Sequence, residues 1–149
     1  MRGRKRWCTG AVVALTVAMT AGIADAKELS DKRWRRRASA ICEQFHEDRN
    51  AILPEHGLSI STPDEAQPYV DQAVPLYEGL ITAINSLAEP LSRVKGVKSF
   101  LNTLKAGVRA IEENPLAAFS GFEDPFATAN QAAAKLRLRS CTRLGNQRI

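Results

Sequence analysis

Residues 94–111 read VKGVKSFLNTLKAGVRAI, and the spacing of their apolar positions decides the fold class. Val94, Val97, Phe100 or Leu101, Leu104, Val108 and Ile111 recur at steps of three and four, which puts them on one face of an α-helix. Asn114-Pro115 ends the pattern, because a proline biases the residue before it away from helical geometry. Ser92 is the candidate cap at the other end. No stretch of the chain alternates polar and apolar residues for long enough to predict a strand.

Three more segments repeat this period. Thr62-Pro63-Asp64-Glu65 combines a cap threonine, a proline at the first helical position and a glutamate three residues after the cap. Ala66, Tyr69, Ala73, Leu76, Tyr77, Leu80, Ile84 and Leu87 follow at helical spacing. Pro68 and Pro75 each remove a backbone donor and crowd the preceding turn, predicting a kink at Pro75 or two helices. An earlier segment aligns Trp34, Ala38, Ile41, Phe45 and Ile52, with Pro54 as its stop. Ser30 is a candidate cap, but the cations from Lys32 to Arg37 oppose the positive end of a helix dipole, so the helix is expected to begin nearer Ala38.

The last segment starts with Asp124 as cap and Pro125 at the first position, faces Phe126, Ala129, Ala133 and Leu136 inward, and closes through Leu138 and Cys141. Its link from Leu116 to Glu123 contains Phe119 and Phe122, too apolar for an idle loop, and is expected to form a short helix over the core. Gly79 and Gly107 are single glycines inside helical stretches, either allowing close helix approach or costing about 1 kcal/mol each. The expected fold is all-α, an antiparallel four-helix bundle with its second helix kinked or split by proline.

The chain begins with Arg2, Arg4, Lys5 and Arg6 ahead of an uncharged run from Trp7 to Ala24, then Ala24-Asp25-Ala26. This order predicts a signal peptide over residues 1–26, cleaved after Ala26, with a retained anchor as the competing reading. Cys8 belongs to that run. Of 149 residues, 44% are hydrophobic and 25% charged, which excludes a wholly disordered chain. Removing the leader takes four of the 21 Lys and Arg and one of the 16 acids, leaving a net charge of 17 minus 15. That balance argues against nucleic acid as the partner.

Two cysteines then remain, Cys42 and Cys141. In an exported chain they are expected to pair, joining the first and last helices through a loop of about 100 residues. Residues 27–37 are expected to form a basic tether, 38–141 the helical domain and 142–149 a mobile polar tail containing Gly145.

The exported leader, Ile41-Cys42 in the first helix, Ala73-Val74-Pro75-Leu76 in the second and the run through Leu136-Arg137-Leu138 into Cys141 form a further pattern. With them the chain resembles uncharacterised small secreted helical proteins of high-GC Gram-positive bacteria. The resemblance covers most of the mature chain and implies a helical fold, paired cysteines and bacterial export. It implies no chemistry. Where that pattern expects a glycine before the leucine preceding the last cysteine, this chain has Arg137.

Residues able to carry chemistry are few. Cys42 and His46 are four apart on one helix face beside Glu43 and Glu47, a spacing open to a metal pair or a Cys-His nucleophile. A soft metal site needs more ligands, with His56 the one other histidine, and an oxidised Cys42 has no thiolate. The pairs Glu47/Asp48, Asp64/Glu65, Glu112/Glu113 and Glu123/Asp124 read as solvated faces and caps, since adjacent helical residues diverge.

Lys32-Arg33-Trp34-Arg35-Arg36-Arg37 sets five cations around a tryptophan, which suits phospholipid headgroups, wall polymers or polyphosphate; a soluble tether is the plain alternative. Tyr69 and Tyr77 share a face, leaving open haem or small-molecule carriage between the second and third helices. The expectation is an exported, non-enzymatic protein without metal or cofactor. It would act at the cell envelope on an envelope protein or an anionic surface polymer. A carrier and an enzyme of unrecognised type are the alternatives.

Overall fold

The computed structural model describes residues 30–53, 60–119 and 124–145. Residues 1–26 with the expected cleavage point, 27–29 of the expected tether, Pro54, His56, Phe122, Glu123 and 146–149 lie outside the described residues. Among the described residues the regular elements are helices α1 (Asp31–Ile52), α2 (Pro63–Asn85), α3 (Val94–Glu113) and α4 (Ala127–Lys135), with 3-10 turns at Pro115–Ala118 and Arg139–Cys141. Packing runs α1 on α2, α2 on α3 and α3 on α4, with Arg139–Cys141 against α1 and Pro115–Ala118 against α2 and α3. One continuous buried cluster joins Trp34 and Phe45 to Leu80, Phe100, Ala129 and Leu144. No helix of the described residues is long and apolar enough to cross a membrane.

The expected tether is corrected: helix α1 already starts at Asp31, capped by Ser30, whose side chain accepts the Arg33 N–H. Two terms outweigh the dipole objection. Of the five cations only Lys32 and Arg33 lie in the first turn, where each costs about 0.3–1 kcal/mol. Trp34 is 0% exposed, and burying an indole of about 150–250 Å² at about 25 cal/mol per Å² gives roughly 4–6 kcal/mol. Asp31 adds favourable charge and holds Arg93, ahead of α3, by a 2.9 Å ion pair. The hydrogen bond from Arg93 keeps the Asp31 carboxyl below its ordinary pKa.

Helix α2 opens on the full capping box, with Thr62 Oγ1 accepting the Glu65 N–H at 3.3 Å and Glu65 Oε2 accepting the Thr62 N–H at 3.1 Å. Its 23 residues run through Pro68 and Pro75 as a single helix, so the expected division into two does not occur. Both prolines are exposed and seven apart, which puts them on the solvent side, where water can serve the carbonyls they leave without a donor.

Helix α3 buries Val97, Phe100, Leu101, Leu104, Val108 and Ile111, the stripe read from sequence. Ser92 does not cap it; its hydroxyl donates to Asp31 instead. Gly107 is a contact point: a Cβ there would lie 2.5 Å from Phe126 and 2.9 Å from the Pro125 carbonyl, whereas Gly79 has nothing within 4 Å.

The last segment departs most from expectation. Asp124 Oδ1 accepts the Phe126 N–H at 2.8 Å and so forms a turn ahead of α4, which is nine residues long. It stops before Cys141 because Leu138 N–H bonds Ala133 O at 3.0 Å and Arg137 N–H bonds Ala134 O at 2.9 Å. This is the Schellman pattern, and its left-handed position is held by Arg137 at φ 60. Cys141 therefore sits in the 3-10 turn beyond α4, so the disulfide joins α1 to that turn.

Candidate functional site

The segment from Leu138 to Gly145 forms a strap across α1 and α2. Cys42 and Cys141 are disulfide-bonded with Cα atoms 5.3 Å apart, both buried. One turn along α1, His46 Nε2–H donates to the Ser140 carbonyl at 2.7 Å, and Glu43 accepts the Ser140 hydroxyl at 2.9 Å. Farther along, Arg49 Nη1 donates to the carbonyls of Leu144 and Gly145, both at 2.9 Å. Cys42, His46 and Arg49 stand at i, i+4 and i+7, so a single helix face receives the strap. Tyr77 Oη–H donates to the Leu144 carbonyl from α2, and Asn130 accepts the Leu144 N–H from α4. The expected mobile tail is corrected as far as Gly145, since Leu144 is a core residue.

These contacts decide what the chemical candidates do. The Cys42 sulfur is bonded to Cys141, and the spacing with His46 serves the strap. Burial pushes His46 below its usual pKa, against the pull of the Ser140 carbonyl. Glu65 is spent on the capping box, and Asp124 on Phe126 and Asn130. No group of three or more metal-ligating side chains occurs among the described residues.

The basic run divides by helix face. Trp34 points into the core, which corrects its expected place at an anionic surface; its Nε1 is shielded from solvent and has no partner among the described residues. Lys32, Arg33, Arg36 and Arg37 are exposed and Arg35 is partly so. Lys32, Arg35, Arg36 and Ser39 follow at i, i+3, i+4 and i+7 down one outer face, with Glu43 one turn beyond. Arg137, brought round by the strap, completes a groove on that face. Among the described residues, four cations thus share one open groove with one carboxylate.

Tyr69 and Tyr77 both line a separate cavity of about 50 Å³ bounded by the end of α1, α2, Ile111, Phe119, Phe126 and Gly145. A void of about 150 Å³ is filled by benzene, so this one does not enclose a haem. Burial lifts the Tyr77 hydroxyl to about 12, which keeps it a neutral donor on the strap.

No known family model matches the chain, and no curated protein or solved structure matches it either. The groove and strap are therefore read from their own geometry. Sequence reasoning found three of the groove cations, Lys32, Arg35 and Arg36, and both cysteines; Arg33 and Arg37 do not line the groove. It missed Arg137 as a partner of the first helix, and Arg49, which carried no motif. The one available signal was that an arginine stood where a helix-ending glycine was expected.

Proposed function

We propose that this chain is an exported, non-enzymatic binding protein of the cell envelope, and that its groove holds a phosphate-bearing anionic polymer. In this reading residues 1–26 direct export and are removed, and the helices pack as an antiparallel bundle with α2 bent at Pro75. The convergence of Arg137 with Lys32, Arg35 and Arg36 carries the reading. Guanidinium groups meet phosphate oxygens with two parallel donors, and each cation close to an anionic surface contributes about 1 kcal/mol. The disulfide supports it too, because it fixes Arg137 against α1 in an oxidising compartment. The side chains most able to do chemistry, Cys42, His46 and Glu43, are engaged in holding the strap.

The test is binding to inorganic polyphosphate at several salt concentrations, with neutral dextran as control. The wild type is expected to bind polyphosphate in a salt-sensitive manner, and the K32Q/R35Q/R36Q/R137Q variant to lose about tenfold or more in affinity. Equal binding by folded variant and wild type would refute the reading.

A further inference from the structure

We infer, resting on the proposed phosphate role of the groove, that its polymer also carries primary amines, with Glu43 receiving an ammonium group while the four cations hold phosphate. Along α1, Lys32, Arg35 and Arg36 line one end of the groove and Glu43 the other, with Ser39 and Ala40 between them. Arg36 and Glu43 are separated by about 10 Å of helix axis at the usual rise per residue. The two small residues keep the floor low between the charges. The open space of about 510 Å³ has room for a ligand that reaches both.

The opposite charges of the groove are held apart. Among the described residues the ion pair is that of Asp31 with Arg93, so no groove cation closes on Glu43. The strap fixes the carboxylate: its Oε1 accepts the Ser140 hydroxyl at 2.9 Å, and its Oε2 has no hydrogen-bond partner among the described residues. That hydroxyl contact does not need a charge, since a neutral amide oxygen also accepts it. A carboxylate beside a polyanion repels it, which makes Glu43 unfavourable for a chain of bare phosphates. An ammonium on the same chain reverses the sign of that interaction and lets both ends of the groove contribute. The groove thus selects a charge pattern, phosphate near the start of α1 and amine about two turns on.

The experiment measures the affinity of oxidised wild type and Glu43→Gln for two short serinol phosphodiester oligomers, one with free amines and one N-acetylated, and for inorganic polyphosphate. Glutamine keeps an acceptor for Ser140, so the strap and the melting temperature are expected to be retained. The preference for the free-amine oligomer over its acetylated form is expected to fall about two- to fivefold in Glu43→Gln, the range of an exposed ion pair. The same variant is expected to bind polyphosphate about twofold or more tightly than the wild type. Glu47→Gln, which removes an exposed acid one turn farther along α1 and outside the groove, is expected to change neither. An amine preference equal in wild type and Glu43→Gln, or one that falls as much in Glu47→Gln, would overturn the inference. Unchanged polyphosphate affinity in Glu43→Gln, or failure of the wild type to bind the free-amine oligomer, would do the same. In each case polyphosphate binding that still depends on Lys32, Arg35, Arg36 and Arg137 leaves the phosphate reading standing, whereas binding unchanged in K32Q/R35Q/R36Q/R137Q removes both.

Discussion

Replacing Arg137 by glycine is expected to stabilise the fold while weakening the groove. The side chain sits at φ 60, where a residue with a Cβ meets the following carbonyl at a cost of about 1–2 kcal/mol. Glycine removes that strain but returns about 0.4–1 kcal/mol through the greater freedom of its unfolded chain. The net gain is about 0.5–1 kcal/mol, or roughly 2–5 °C in melting temperature for a domain of this size. Arg137→Gln separates the two roles, since it removes the cation and keeps the strain. In thermal and urea unfolding the glycine variant should exceed both wild type and Arg137→Gln, which should match each other. On polyphosphate both variants should bind more weakly, each with a salt slope reduced by about one. Equal stability of the glycine and glutamine variants would refute the strain argument.

The two helical glycines should respond with opposite sign. Gly79→Ala has open space for its methyl group and should stabilise by up to about 1 kcal/mol. Gly107→Ala drives a Cβ into Phe126 and the Pro125 carbonyl and should cost about 1–3 kcal/mol, both values read from denaturant midpoints. Removing the disulfide as Cys42→Ser/Cys141→Ser opens a loop with sequence separation 99 and should cost about 4–5 kcal/mol by chain entropy; a loss under about 1 kcal/mol would show that the other strap contacts suffice. His46 is held below its usual pKa of 6.5, so the unfolded chain binds its proton more readily than the folded one. Its contribution to stability is complete above that value and is lost as pH falls through the lower folded pKa. Unfolding between pH 7 and 5 should show this decline, and His46→Gln, which keeps a donor for Ser140, should flatten it.

The helices were legible because burial dominates them. The α3 stripe and the Thr62–Glu65 box each carry their own local signal, and the structure places both where the spacing puts them. The start of α1 lies earlier than charge at a helix end implies, because the burial of Trp34 is a tertiary term. The end of α4, at Lys135, differs from the sequence expectation for another reason. Leu136-Arg137-Leu138 contains no glycine, and the left-handed stop is enforced by Leu138 and Leu144 entering the core. The groove could be read only by half, because Arg137 meets α1 across about 100 residues of chain. The roles of Arg49 and Tyr77 depend on strap carbonyls, which leave no trace in residue type.

What joins these observations is the covalent link between Cys42 and Cys141, which ties the strap to helix α1. Intact mass analysis of material recovered unreduced from the culture fluid and envelope of a secreting bacterial host, treated with an alkylating reagent before unfolding, tests this most directly. The account predicts a chain starting at Lys27, two hydrogens lighter than its reduced form and free of alkyl label. A chain that retains residues 1–26, or that carries label on Cys42 or Cys141, would contradict it.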